Sequence, residues 1–314
     1  MYYRAELLYN NIDKLIQDSE IFPICVPSYS RPNAPFLKYV DDLPVVLFIR
    51  KEQKDLYKQY QDKCHIVQLE DVEEIGQTRK AIVDWAIRNK LSNIFMIDDD
   101  ISHLSYLLPG KSSKSDKEFM KMYSTIYNIP EAIDKKIFKM WIWLIRQCSD
   151  KLTISGAGAK SDWWNIQYKD SQAIYNSGST IQCIHLNIDN LKNYGINYID
   201  TRIGGTEDYS LQYQVMASGL YTTIFKDLVF RVPGVGSGSG GNSTSEELIQ
   251  KYQKFIQLFQ DNILQEKDRD RVGTKISKGG IPSIKFNWNK WREPKGMMYT
   301  VDDVFNDLEF LYTL

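Results

Sequence analysis

Several things are scarce in this sequence, and each scarcity removes a class of protein. Net charge is nearly absent. Lys and Arg number 39 against 40 Asp and Glu in 314 residues, leaving -1, so no global field draws the chain to nucleic acid or anionic lipid, and any polyanion contact must come from a local patch. Long apolar runs are missing, and residues 1–20 lack the charged start, apolar stretch and small-residue cleavage site of a leader. The expectation is a cytoplasmic protein with no membrane partner. Histidine occurs three times and cysteine four, as Cys25, Cys64, Cys148 and Cys183, without a C-x-x-C pair. That excludes a zinc cluster or disulfide scaffold and predicts free thiols in a reducing compartment. A hydrophobic share of 43% excludes a disordered chain.

What is present is alternation. Residues 1–20 place Leu7, Leu8, Ile12, Leu15 and Ile16 at helical spacing and predict an N-terminal helix. Apolar strands are predicted at Phe22–Pro27, Leu43–Ile49, His65–Leu69 and Asn93–Ile97. Between them lie a polar helix near Glu52–Asp62 and an amphipathic one at Gly76–Lys90. Strands alternating with helices at this spacing give an α/β fold, a mostly parallel sheet flanked by helices in a Rossmann-like arrangement. The domain proper runs over 21–232, interrupted by a lysine-rich insertion at about 102–139. A helix at Phe138–Cys148, strands at Thr153–Ser155, Ile181–Leu186 and Thr222–Val232, and a helix from Glu207 stopped by Gly219 complete it. Residues 233–245 form a flexible Gly/Ser loop, with eight of eleven residues Gly or Ser over Gly234–Thr244. Residues 246–314 are a C-terminal helical extension with a basic and aromatic tail.

Two acidic groups stand out. Asp98, Asp99 and Asp100 close an apolar strand, and adjacent carboxylates repel unless a cation or several donors hold them. Strand alternation would turn Asp98 and Asp100 to one side, where their oxygens suit Mg2+ or Mn2+. The plainer alternative is a solvated acidic turn. Glu207 and Asp208 follow Gly204, Gly205 and Thr206 at a helix start. They read either as first-turn acids favoured by the helix dipole or as a general base for an acceptor hydroxyl. His65 and His185 lie in apolar strands as core histidines. His103 and the pair Trp163 and Trp164 are weaker ligand or stacking candidates.

In this order, Ser28-Tyr29-Ser30-Arg31 after the first strand, Gly76 with Arg79, the Asp98–Asp100 run and the Glu207–Asp208 pair resemble the nucleotide-sugar glycosyltransferases of the GT-A fold, over roughly residues 22–230. The resemblance implies that Ser28, Tyr29 and Arg31 line the nucleotide end of a sugar donor, a UDP-sugar first of all, and that Arg79 contacts its base or diphosphate. Asp98 and Asp99 would lie against the donor, and Asp100, with Asp98, would hold Mn2+ or Mg2+. Asp208, beside Glu207, would be the base if the reaction inverts configuration. The Gly/Ser loop would close over bound donor.

One departure is informative: the second strand runs into Arg50-Lys51, where the commonest bacterial members carry an acidic pair. The P-S-Y-x-R, G-x-x-R and I-D-D-D-I pattern looks more like the phage and TET-associated branch that decorates hydroxymethylated pyrimidines in DNA. That would place the protein in a host cytoplasm if phage-encoded, with DNA as acceptor. Lys267–Lys295 leans the same way, with nine Lys or Arg against three acids interleaved with Phe286, Trp288 and Trp291. Lys285, Lys290 and Arg292 are the expected phosphate contacts, unless the two Trp merely clamp the tail. Two other readings stay open: a glycan, lipid or protein acceptor, and a haloacid-dehalogenase-like phosphatase using Asp98, Asp100 and Ser102.

Overall fold

The computed structural model describes residues 11–106, 133–159, 172–176, 178, 180, 182–198, 207–231, 246–276, 282–292 and 297–300. The predicted flap at Gly234–Thr244, Gly204–Thr206, Trp163–Trp164 and most of the insertion lie outside them.

Four short strands open the fold: β1 (Ile24–Pro27), β2 (Val45–Arg50), β3 (His65–Leu69) and, after helix α1 (Ile75–Arg88), β4 (Asn93–Ile97). They are mutually parallel, with β1 between β2 and β4. Their alternation builds two cores at once. Ile24, Val26, Val45, Leu47, Ile49, Phe95 and Ile97 face one side, and Cys25, Val46, Phe48, Ile94 and Met96 face the other. A parallel sheet buried on both faces needs apolar residues at every position, which is why these strands read as unbroken apolar runs. β3 is the edge strand and stays half-exposed, so His65 is exposed where a core position was expected.

The remaining strands of this sheet are β5 (His103–Tyr106), β6 (Leu152–Ala159), then, past the short β7 (Gln172–Ile174), β8 (Cys183–Asn187) and β9 (Tyr221–Arg231). The eight-stranded order is β3, β2, β1, β4, β8, β6, β9, β5. β8 runs against both β4 and β6, and β5 against β9, so the sheet is mixed but mostly parallel. Helix α2 (Lys135–Arg146) covers one face, and α3 (Ile188–Asn193) with α4 (Glu207–Ala217) covers the other together with α1. Gly219, at φ +75°, supplies the left-handed stop that ends α4. His185 is wholly buried between Ser155 Oγ (3.2 Å) and Asn93 Oδ1 (2.9 Å), a satisfied core histidine.

The C-terminal extension is not only helical. After α5 (Glu246–Asn262) the chain forms an antiparallel ribbon of β10 (Val272–Ile276) and β11 (Pro282–Phe286), then a single turn at Trp288–Trp291. β12 (Met297–Thr300) follows and pairs with β7. Phe255, Phe259, Val272, Ile284, Phe286 and Trp291 pack on Tyr213 and Met216 of α4. Phe286 and Trp291 are therefore core residues, and Trp288 packs half-buried against the same cluster, so the two Trp do clamp the tail. Among the described residues no helix is long and apolar enough to cross a membrane.

Candidate active site

The chain runs from β1 outward through β2 to β3, then returns to the other side of β1 as β4. The C-terminal ends of β1 and β4 thus flank a topological switch point, where open α/β sheets leave a crevice for ligands. Ser28–Arg31 and Asp98–Asp100 both lie there.

On the β1 side, Ser28 Oγ donates to Asp99 Oδ2 (2.5 Å) and lies 2.8 Å from the Tyr57 hydroxyl, which also accepts from the Arg31 backbone N–H (3.1 Å). Gln53 braces the next residue, accepting from Ser30 N–H and donating to Ser30 Oγ. Ser30 sits at φ +54°, a left-handed conformation costly for a side-chain-bearing residue and held here by these two bonds. Tyr29 is half exposed, with the Arg50 guanidinium 4.0 Å above its ring. Arg50 also donates to the Glu73 carbonyl.

The three aspartates do not behave as strand residues. β4 ends at Ile97, and Asp98–Ile101 is a turn closed by the Ile101 N–H to Asp98 carbonyl bond (3.1 Å). Alternation therefore stops one residue too early to put Asp98 and Asp100 on a common side. Asp98 turns to Arg79, whose Nη2 lies 3.1 Å and 3.3 Å from its two oxygens. Asp99 and Asp100 turn to Arg31, at 2.5 Å and 3.4 Å. The Arg31 to Asp99 contact has the distance of an ion pair without hydrogen-bond alignment, so the buried Asp99 Oδ1 accepts no hydrogen bond, and Asp100 Oδ1 is likewise buried without one. Asp99 is wholly buried, so it orders Ser28 and Arg31 rather than lining the crevice.

Arg79 is the junction of the site. It lies on the buried stripe of α1 with Gly76, Ile82, Val83 and Ala86, and only 5% of it is exposed. Nη1 donates to Glu207 Oε1 (2.9 Å) and Asp208 Oδ2 (2.5 Å) at the start of α4, while Nη2 serves Asp98. The guanidinium is therefore occupied by three carboxylates and does not face the crevice as a donor contact. Burial disfavours its charge, but Asp208, Asp98 and Glu207 more than compensate and hold it firmly protonated. One cation against three acids leaves the reverse imbalance. Burial and mutual repulsion push Glu207 above the usual carboxylate range. Asp208 is raised as well, by burial and Asp98, with Arg79 and a hydrogen bond from Tyr198 pulling back. As a pair they retain a proton where an ordinary carboxyl has lost it.

Five carboxylates thus meet two guanidinium groups around the crevice. Among the described residues no three His, Cys, Asp or Glu side chains form a ligand set complete in itself. The buried Oδ1 of Asp100, which accepts no hydrogen bond, nevertheless suits a hard divalent cation, which takes one or two protein carboxylates and completes its shell with water or phosphate oxygens. Tyr57, Gln53, Tyr198 and Tyr252, whose half-buried phenol lies in the field of Glu207 and Asp208, belong to the site and carried no sequence signal.

A pH dependence follows from Asp99. Burial, with Asp98 and Asp100 alongside, pushes its carboxyl up to about 7, against the pull of Ser28 and Arg31. A folded-state value above the unfolded one gives stability that is complete below about pH 4 and is lost as pH rises through about 7. Asp99→Asn should flatten this loss in melting temperatures measured from pH 4 to 8 without added metal. An unchanged slope would remove Asp99 as its source.

A family model described as TET-Associated Glycosyltransferase matches residues 22–238. Among solved structures, S. aureus TarS 1-349 aligns at 13% identity and TM-score 0.43, covering 80% of this chain and 68% of that one. Glucosyl-3-phosphoglycerate synthase from Mycobacterium tuberculosis, solved with Mg2+ and UDP, aligns at 7% and 0.45, covering 88% and 90%. GalNAc-T7 with UDP, GalNAc and Mn2+ aligns at 11% and 0.40, covering 76% and 48%. No curated protein matches the chain.

Proposed function

Since the chain belongs to the TET-associated glycosyltransferase family, we propose that it moves a sugar from a nucleotide diphosphate donor, a UDP-sugar first, to the hydroxymethyl group of a pyrimidine in DNA. The chain is a glycosyltransferase, and the phosphatase reading falls with that. The observation that carries the rest is the buried Arg79, which ties Asp98 at the β4 end to Glu207 and Asp208 at the start of α4. It links the turn that would face the donor to the acids that would face the acceptor.

In this reading Tyr29 and Arg50 offer a flat cationic surface to the nucleobase, and Ser28 and Arg31 steady the loop beneath the ribose and phosphates. Asp98, at the lip of the crevice, bounds the ribose or sugar. A cation held at Asp100, with Asp98 nearby, would neutralise the charge that grows on the departing diphosphate. The excess of carboxylates supports that need, because a diphosphate entering here unaccompanied would be repelled. Asp208 takes the proton of the acceptor hydroxyl as its oxygen attacks the anomeric carbon and the sugar to phosphate bond breaks on the opposite side, inverting configuration. Arg79 favours the ionised form of Asp208 that this requires, and Glu207 shares the pair's retained proton.

The test is calorimetry of UDP binding with and without Mn2+. Wild type should bind at least tenfold more tightly with Mn2+, and Asp100→Ala should lose that gain while melting as wild type does. Equal Mn2+ dependence in the two proteins would take Asp100 out of the metal role. Transfer to a glycan, lipid or peptide instead of DNA would shift the acceptor while keeping the donor chemistry.

A further inference from the structure

The β10–β11 ribbon has two unlike faces. Its register pairs Val272 with Phe286, Gly273 with Lys285, Thr274 with Ile284 and Lys275 with Ser283. Val272, Ile284 and Phe286 share one face and are buried against α4 and α5. Gly273, Lys275, Ser283 and Lys285 share the other. That face is open: β10 is buried only at Val272, Lys275 and Lys285 are exposed, and a Cβ added at Gly273 would meet nothing within 4 Å.

It is also acid-free. The nearby acids are already engaged: Glu266 by Arg269, Asp268 by Arg271 and Tyr213, and Asp270 by Lys290. Lys290, an expected phosphate contact, is therefore tied within the fold. Lys275 and Lys285 make no ion pair among the described residues. The inner face of the ribbon reaches the site directly, since the Phe286 ring lies 5.9 Å from Tyr209, the residue after Asp208.

We propose that the outward face of the β10–β11 ribbon docks the acceptor DNA duplex by its phosphates, through Lys275 and Lys285. This rests on the DNA-acceptor reading above. Charge complementarity favours DNA over a protein partner: on the outward face two lysines with a Gly and a Ser between them offer cations and close backbone approach, while the ribbon's exposed apolar side chain, Ile276, belongs by alternation to the opposite face. Packing of Phe286 on Tyr209 anchors the ribbon to the start of α4, so a duplex held on the outward face is fixed relative to the proposed base across the thickness of the ribbon. The ribbon contacts phosphate only, so binding there is independent of sequence.

The experiment measures retention of hydroxymethylated duplex DNA against salt for wild type, Lys275→Gln/Lys285→Gln, and a control with the same charge change at Lys90 and Lys192, exposed beyond α1 and within α3. Melting curves confirm that all three fold. The ribbon variant should bind about tenfold more weakly or worse at low salt, and its slope of log affinity on log salt should fall by about 2. The control should bind as wild type does. Equal binding by wild type and the ribbon variant, or an equal loss in the control, overturns the ribbon assignment and leaves the DNA reading standing. If wild type itself shows no salt-sensitive retention and no transfer to DNA, both fall.

Discussion

Replacing Arg79 with glutamine should cost about 3–5 kcal/mol of stability, the usual consequence of removing one partner from a buried ion pair. In a domain of this size that is roughly 6–20 °C in melting temperature. The loss is large because Arg79 is 6% exposed at its side chain and answers Asp98, Glu207 and Asp208 alone. Without it three carboxylates remain at one junction with no cation. Its pH dependence identifies the cause. Glu207 and Asp208 already sit above the usual carboxylate range with Arg79 in place, and its removal raises them further. Protonation relieves that cost, so the gap between variant and wild type should be smallest near pH 4 and widen toward pH 8. Arg79→Lys should recover part of the stability, since an ammonium keeps the charge but lacks the planar fork that serves both sides. A gap that does not change with pH would mean that Arg79 acts by packing alone.

The second large effect is expected at Asp208. Asp208→Asn keeps the shape and the contact with the α1 helix but cannot take a proton, so transfer should fall by 10²–10⁴-fold, the range of a lost general base. Donor binding should stay within a few fold, because the donor crevice is built by β1 and β4 rather than α4. The stability change should have the opposite sign to that of Arg79→Gln: removing one of three competing carboxylates relieves repulsion on Glu207. A more stable protein that has lost transfer is a pattern that simple misfolding cannot produce.

The sequence already showed where the acids would be but not which way they would turn. The β4 limit falls where the apolar run ends, because a strand buried on both faces admits no polar residue until it leaves the sheet. That made the Asp98–Asp100 run visible. Its orientation was lost because period-two reasoning holds only while the strand lasts, and β4 stops at Ile97. Arg79 was legible only through the resemblance, as a donor contact; its place on the buried stripe of α1, which demands a partner, came from the structure. Its partners were not legible, because Glu207 lies 128 residues away. The tail misled in another way. Lys285 and Lys290 look alike in composition, but Asp270 captures only Lys290. The alternation of Val272–Ile276 and Pro282–Phe286 that makes the ribbon was hidden beneath the count of basic residues. Tyr57 and Tyr198 could not be singled out, because a tyrosine becomes part of a site only through what its hydroxyl meets across the fold.

The account stands on a transferable sugar being joined to an acceptor at the Arg79 junction. The most direct measurement is mass spectrometry of nucleosides released from unmodified and hydroxymethylated DNA after incubation with UDP- and GDP-sugars and Mn2+, using wild type and Asp208→Asn. The expected result is a hexose or pentose mass added to the hydroxymethyl nucleoside by wild type only, and none on unmodified DNA. Undiminished addition by Asp208→Asn, or no addition by wild type with any donor, would contradict it.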